Sequence, residues 1–161
     1  DPFEEPIGYL MLEGNSKEMI VRRFGEPDEV NEEIVPTRFP GETYRLFTYR
    51  FKDITFTVGK WPDREWSWIE SIEIVGNSQK LKYGIRIGSS REQVSATFSL
   101  TEPYSGKRNL LSASAHISEG PGDIGEDGST LVEVGTTYGI LFEFDDDDRI
   151  SKISIGSSSS S

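Results

Sequence analysis

Apolar residues in this chain fall into short runs with two different periods. Ile54, Phe56 and Val58 alternate with Thr55 and Thr57, and Ile140, Phe142 and Phe144 alternate with Leu141 and Glu143. Alternation of this kind puts one set of side chains on one face of a β-strand. Elsewhere the period lengthens. Ile20 and Phe24, and again Val94 and Phe98, stand at the spacing of one helix face. Both helical stretches carry start and stop signals. In "NSKEMIVRRFGEP" Asn15 is placed to cap the helix, with Glu18 at the third helical position. In "SSREQVSATFSLTEP" Ser89 and Glu92 take those places, so each stretch reads as a reciprocal capping box. Gly25 and Pro27 end the first helix, and the second ends before Pro103.

These phrases are one pattern written twice. Ser16 and Ser90, Ile20 and Val94, and Phe24 and Phe98 are each 74 residues apart. A short extended run ending in Gly precedes each helix, Leu10 to Gly14 and Gly84 to Gly88. Each half closes on the same irregular set: Ile69, Ile72 and Ile74, then Ile150, Ile153 and Ile155. A regular strand has period two, so the shared three-residue step predicts a β-bulge or bend in both. The expected architecture is α+β. Two tandem β-α-β-β-β units, 7–76 and 81–156, would form an antiparallel sheet with the short helices on one face. The serines at 157–161 are expected to form a flexible tail.

Composition narrows the function classes. The 161 residues suffice for one domain or two small ones. Seventeen basic against 28 acidic residues leave a net charge of −11, which repels phosphate backbones and anionic lipid. Nucleic acid is therefore not an expected partner. There are no cysteines, hence no disulfides, thiolate metal sites or cysteine nucleophiles. No run nears the ~20 apolar residues of a membrane-spanning helix. The chain opens on Asp1-Pro2, which reads as a trimmed or processed start and leaves room for a removed leader or a lipid anchor.

The stretch "GIRIGSSREQVSATF" resembles the strand, Gly, Ser/Thr, Val, short-helix phrase of the beta-lactamase inhibitory proteins. "RRFGEPD" resembles the helix end of the small outer-membrane assembly lipoproteins that share that unit. The inhibitory proteins carry two such units in tandem. The resemblance implies fold first, and then a non-catalytic, extracytoplasmic protein, secreted or anchored at the cell envelope, that binds another protein. In the inhibitors an acidic side chain on a first-unit hairpin enters the target's active site. Hairpin order puts that role at the turn "FKDIT", on Lys52 and Asp53. The inhibitors' disulfides have no counterpart in this chain.

Aromatic residues supply the main binding candidates. "WPDREWSW" holds Trp61, Trp66 and Trp68, the last two spaced to share one side of a strand. "YRLFTYRF" puts Phe47, Tyr49 and Phe51 on one face of the preceding strand. Facing solvent, these rings would anchor a protein partner or stack on sugar rings; facing the helices, they would be ordinary core. "FDDDDRI" offers clustered carboxylates, Asp145 to Asp148, to a hard cation, but reads equally as a charged hairpin turn. "DIGEDGSTLVEV" matches a calcium loop at Asp123, Asp127 and Gly128, yet has Gly125 at the third ligand position, and reads as a loop. His116, the sole histidine, lies in a Ser/Gly-rich insertion from about Tyr104 to Thr130 and reads as a loop residue. Neither a phosphate-binding Gly loop nor a nucleophile elbow is present.

No catalytic, cofactor-binding or metal-ligating residue is therefore assigned. The leading expectation is a protein-binding module that works through an exposed sheet face and hairpin loops. A carbohydrate- or small-ligand-binding domain using Trp61, Trp66 and Trp68 is the alternative, and a hydrolase working through paired carboxylates is a third.

Overall fold

A computed structural model describes residues 16–64, 67–81, 84–98, 110–120 and 134–157, with the backbone alone for 110–120, 134–138 and 157. Helix α1 (Ser16–Phe24) is followed by strands β1 (Glu29–Pro36), β2 (Thr43–Arg50), β3 (Ile54–Lys60) and β4 (Ser67–Ile74). Helix α2 (Arg91–Thr97) is followed by β5 (Leu110–Gly120), β6 (Val134–Phe144) and β7 (Ile150–Ser157). The strands form one sheet in the order β1-β2-β3-β4-β7-β6-β5, every neighbouring pair antiparallel. The protein is α+β.

Cross-strand partners share a face, so the register shows how alternation becomes a core. One apolar row crosses five strands: Tyr49, Phe56, Ile72, Ile155 and Ile140. A second joins Ile54, Ile74, Ile153 and Phe142. All these residues are buried. Both helices pack on this face. Ile20 of α1 and Val94 of α2 are buried in the same cluster. Phe24 meets Phe56 at 5.0 Å between ring centroids, and Phe98 meets Phe142 at 5.5 Å. Each such side chain removed from water contributes about 1.5–3 kcal/mol. The opposite face carries small and polar residues, with Thr48, Thr57, Ser71, Gly156 and Gly139 in one row. No described helix covers it.

The isoleucine steps become bulges at matched places. The β3–β4 register shifts between Thr57 and Val58, leaving Glu70 as the extra residue. The β6–β7 register shifts between Glu143 and Phe144, leaving Ser151, which is 81 positions later. The strands carrying these bulges meet in the middle of the sheet, Ile72 opposite Ile155 and Ile74 opposite Ile153. Helix starts are tied alike: Ser16 Oγ donates to the Ser67 carbonyl at 3.1 Å, and the Arg91 N–H donates to the Asp148 carbonyl at 2.9 Å.

Several expectations need correction. Gly84 to Gly88 is not a strand. Gly84 (φ 75°) and Gly88 (φ 93°) lie in the left-handed region, which bends the run into turns. The bridge pair Ser90 with Arg149, with the Gly88 N–H donating to the Ile150 carbonyl and the Ile150 N–H to the Ser89 carbonyl, ties the start of α2 to the sheet. Four strands follow α1 where about three were expected, because β1 forms as an exposed edge. The cap of α2 is Ser90, not Ser89. Ser90 Oγ accepts from the Gln93 N–H (3.2 Å), and Gln93 Oε1 accepts from the Ser90 N–H (2.9 Å). Ser89 is buried, its Oγ accepting from the Arg86 N–H. Ser90→Ala is therefore expected to lower unfolding free energy by about 1 kcal/mol in urea denaturation, while Glu92→Gln, outside the box, changes it far less. The first helix ends as expected, with Gly25 at φ 82° donating to the Val21 carbonyl. Its expected cap Asn15 and the run Leu10 to Gly14 lie outside the described residues. In the serine tail, Ser157 pairs with Tyr138 as part of β7, and 158–161 lie outside the described residues.

Candidate functional site

The chain gathers three large rings on the helix-free face. Trp68 of β4 pairs directly with Gly59 of β3, and Tyr44 of β2 lies two residues before Leu46, the β2 partner of Gly59. Trp61 comes immediately after β3. Ring centroids are 5.8 Å apart for Tyr44 and Trp61, 5.7 Å for Tyr44 and Trp68, and 5.7 Å for Trp61 and Trp68. Tyr44 and Trp61 meet edge to face at 62°, as ring quadrupoles favour, and the other two pairs are tilted at 46° and 42°. Gly59 makes this possible: a Cβ there would fall within the Trp68 ring. All three side chains are partly exposed. Beside them opens a cleft of about 410 Å³ lined by Gly41, Glu42, Thr43, Trp61, Asp63 and Arg64.

The bulge in β4 brings an acid to this cluster. Glu70 Oε2 is buried and has no hydrogen-bond partner, although the residue as a whole is only partly covered. Burial pushes its carboxyl pKa up. Burial also raises the Tyr44 pKa, as do the nearby charges of Glu70 and then Glu33. For Glu70 the sign of the pH effect is direct. A raised folded-state pKa favours folding while the group is protonated, below its ordinary 4.5, and that advantage is lost as pH rises through the raised value. Glu70→Gln, neutral throughout, should match the parent in stability at acid pH. At neutral pH it should exceed the parent by less than about 1 kcal/mol, because the outer part of the side chain keeps its water. Urea denaturation at several pH values measures the difference; a gap constant with pH would show that Glu70 is not the titrating group.

The seven residues singled out from the sequence do not form one patch. Trp61 and Trp68 stand together in the cluster. Trp66 lies outside the described residues. Phe47, Tyr49 and Phe51 share a face, but it is the helix side: Tyr49 is buried, and Phe51 packs on Phe24 and Phe56. Phe47 and Tyr49 line a smaller hollow of about 160 Å³ with Lys17, Glu18, Val58, Lys60 and Ser67. Asp53 lies at the opposite end of the sheet from the rings. Its carbonyl accepts from the Val75 N–H at 2.9 Å, and its carboxyl group packs against Gly76. Lys52 is exposed beside it.

Two members of the cluster were not singled out. Tyr44 sits in the same run as Phe47 and Tyr49 but on the other parity, and its alternation against them is the signal that could have found it. Glu70 lies inside the Ile69-to-Ile72 step that marks the bulge, but nothing local shows that its carboxyl group is left without a partner.

Asp145 to Asp148 form the β6–β7 turn, where Asp145 Oδ1 accepts from the Asp147 and Arg149 N–H groups. Among the described residues no group of three or more His, Cys, Asp or Glu is placed to hold a metal ion. His116 lies in β5 opposite Thr137, so the insertion is in part a strand and not a loop throughout. The rest of the insertion and the calcium-loop-like run up to Glu133 lie outside the described residues.

No family model and no curated protein matches the chain. Among solved structures it is similar to an extracellular protein containing a SCP domain from Bacillus anthracis str. Ames. The identity is 14% and the TM-score 0.44, over 92% of this chain and 44% of that one. This chain thus spans less than half the length of that protein. No described helix is long and apolar enough to cross a membrane.

Proposed function

We propose that this chain is a tandem of two like α/β units, akin to the beta-lactamase inhibitory proteins, that acts outside the cytoplasm as a binding module without chemistry of its own. Its partner is a protein that docks on the helix-free face of the sheet. The observation that carries this reading is the Tyr44, Trp61 and Trp68 cluster. Three partly exposed rings beside a row of small polar residues make an anchor next to a flat floor, and aromatic anchors dominate the energetics of protein interfaces. The tandem reading is supported by the bulges at Glu70 and Ser151 and by the like settings of Phe24 and Phe98.

Trp68→Ala tests it. Affinity capture from the native source, with the unsubstituted chain and this variant as baits, should return a protein whose recovery falls at least about tenfold with the variant. Replacing exposed Val75 instead should leave recovery unchanged. A partner retained equally by both baits would place the interface elsewhere. Inhibition of beta-lactamases is a sub-case decided by a chromogenic hydrolysis assay.

The cleft beside Trp61 favours a second reading. An aromatic wall with Glu42, Asp63 and Arg64 suits a sugar ring, which offers a flat apolar face and hydroxyls around it. Soluble oligosaccharides should then change tryptophan fluorescence saturably, and Trp61→Ala should abolish the change. No response to a broad glycan set retires this reading.

A further inference from the structure

We infer that the Glu70 carboxylate, held on the β4 bulge beside Tyr44, Trp61 and Trp68, is the seat for a lysine or arginine side chain supplied by the protein partner. This inference rests on the helix-free face being the docking surface.

The matched bulges make the case. At position 151 the bulge residue is a serine whose Oγ donates to the Glu143 carbonyl at 3.1 Å, so the polar group is satisfied within the sheet. At position 70 the bulge holds a carboxylate. An ionised carboxylate only accepts, so it cannot use a strand carbonyl in that way. Its Oε2 is left buried and without a partner. Two other acids on the same face are paired, Glu29 with Arg50 and Glu73 with Lys152, and both are far more open to water. Fold stability alone gives no reason to keep an unpaired acid on one bulge when the other shows a satisfied alternative.

The surroundings select the missing group. A buried water would need two to four polar partners, and Glu70 Oε2 has no hydrogen-bonding group in reach to share one with. A divalent cation wants several oxygen ligands, which the described residues do not gather there. A lysine or arginine side chain fits both halves of the site. Its charged end pairs with Glu70. Its apolar stem and cationic head lie against indole and phenol faces, which attract cations electrostatically. Glu33, close enough to act on Tyr44, adds a second negative charge. The net charge of −11 draws a basic partner in from a distance.

The test titrates the full chain at low ionic strength with acetyl-Gly-Lys-Gly-amide and acetyl-Gly-Arg-Gly-amide. The same peptide with norleucine serves as the neutral control. Tryptophan fluorescence and the NMR signal of the Glu70 carboxyl report binding. The basic peptides should give saturable changes in both and bind at least about tenfold more tightly than the norleucine peptide. Glu70→Gln should remove that advantage while leaving the fold at least as stable as before. If basic and neutral peptides bind alike and both are lost in Trp68→Ala, the role given to Glu70 is overturned while the docking face stands. No response to the basic peptides also overturns the inference, and the capture experiment with Trp68→Ala then decides separately whether the docking reading falls.

Discussion

Phe56→Ala and Phe142→Ala are each expected to lower the free energy of unfolding by about 3–5 kcal/mol. Both rings are 0% exposed, and the two rows they belong to run side by side across the sheet. Phe56 carries Phe24 and Phe51 against it, at 5.0 and 6.1 Å between centroids, and Phe142 carries Phe98 at 5.5 Å. Truncation therefore removes the ring's own burial and leaves a cavity under a helix-end phenylalanine that cannot follow it down. Domains of this size are stable by roughly 5–15 kcal/mol, so either loss is a large share of the total. Because β4 and β7 join the halves into one sheet, urea denaturation should show a single transition for each variant. Phe39→Ala, at a residue 54% exposed, should stay within about 0.5 kcal/mol of the parent. A small effect of Phe142→Ala beside a large one of Phe56→Ala would mean that the halves do not share one packing plan.

Much of this core was legible in the sequence, for a physical reason. Strong alternation at Ile54, Phe56 and Val58, and at Ile140, Phe142 and Phe144, belongs to strands with one face buried, where register is dictated by burial. The isoleucine steps announced the bulges because an extra residue in a strand must interrupt its period. Strands with weaker patterns escaped. In β1 the apolar alternates Val30 and Ile34 are 51% and 65% exposed, and the strand also carries Glu29, Glu32 and Glu33. It is held by pairing with β2 and by surface ion pairs such as Arg45 with Glu32, not by burial. In β5 the alternation runs through serine and alanine, so it reads like a linker.

Local signals also failed where they were degenerate. Ser89 with Glu92 and Ser90 with Gln93 are both acceptable capping boxes. The choice between them is made by tertiary structure: the turn at Gly88 buries Ser89 and hands its hydroxyl to Arg86, so the helix begins one residue later. The candidate site shows the same limit. Period two says that Phe47, Tyr49 and Phe51 share a side, but not which side. That is decided by the pairing of Tyr49 with Phe56 and of Trp68 with Gly59, and it sends Phe47 and Tyr49 to the helix side and Trp68 to the other face. Glu70 becomes distinctive only once the bulge has left it without a partner.

Gly59→Ala is expected to destabilise the protein by about 1–3 kcal/mol and to dismantle the aromatic cluster. Glycine within a strand is ordinarily unfavourable, since it adds backbone entropy to the unfolded chain and packs nothing. At position 59 that cost is offset because the Trp68 ring lies where a methyl group would go. Alanine must push the indole aside, and the indole is fixed on its other sides by Tyr44 and Trp61. The variant should therefore show changed tryptophan fluorescence and near-ultraviolet dichroism, and lose partner recovery much as Trp68→Ala does. A double-mutant cycle isolates the cause. With Trp68 already replaced by alanine, Gly59→Ala should cost less than about 0.5 kcal/mol, because its clash has gone. Gly139 in β6 is the contrast: a Cβ there meets nothing within 4 Å, so Gly139→Ala should be neutral or slightly stabilising. If both glycine variants lose stability equally and the cycle shows no coupling, the strands simply tolerate alanine poorly and the ring over Gly59 is incidental. Strong coupling at 59 with none at 139 would show that this strand position is kept bare to seat Trp68 on the docking face.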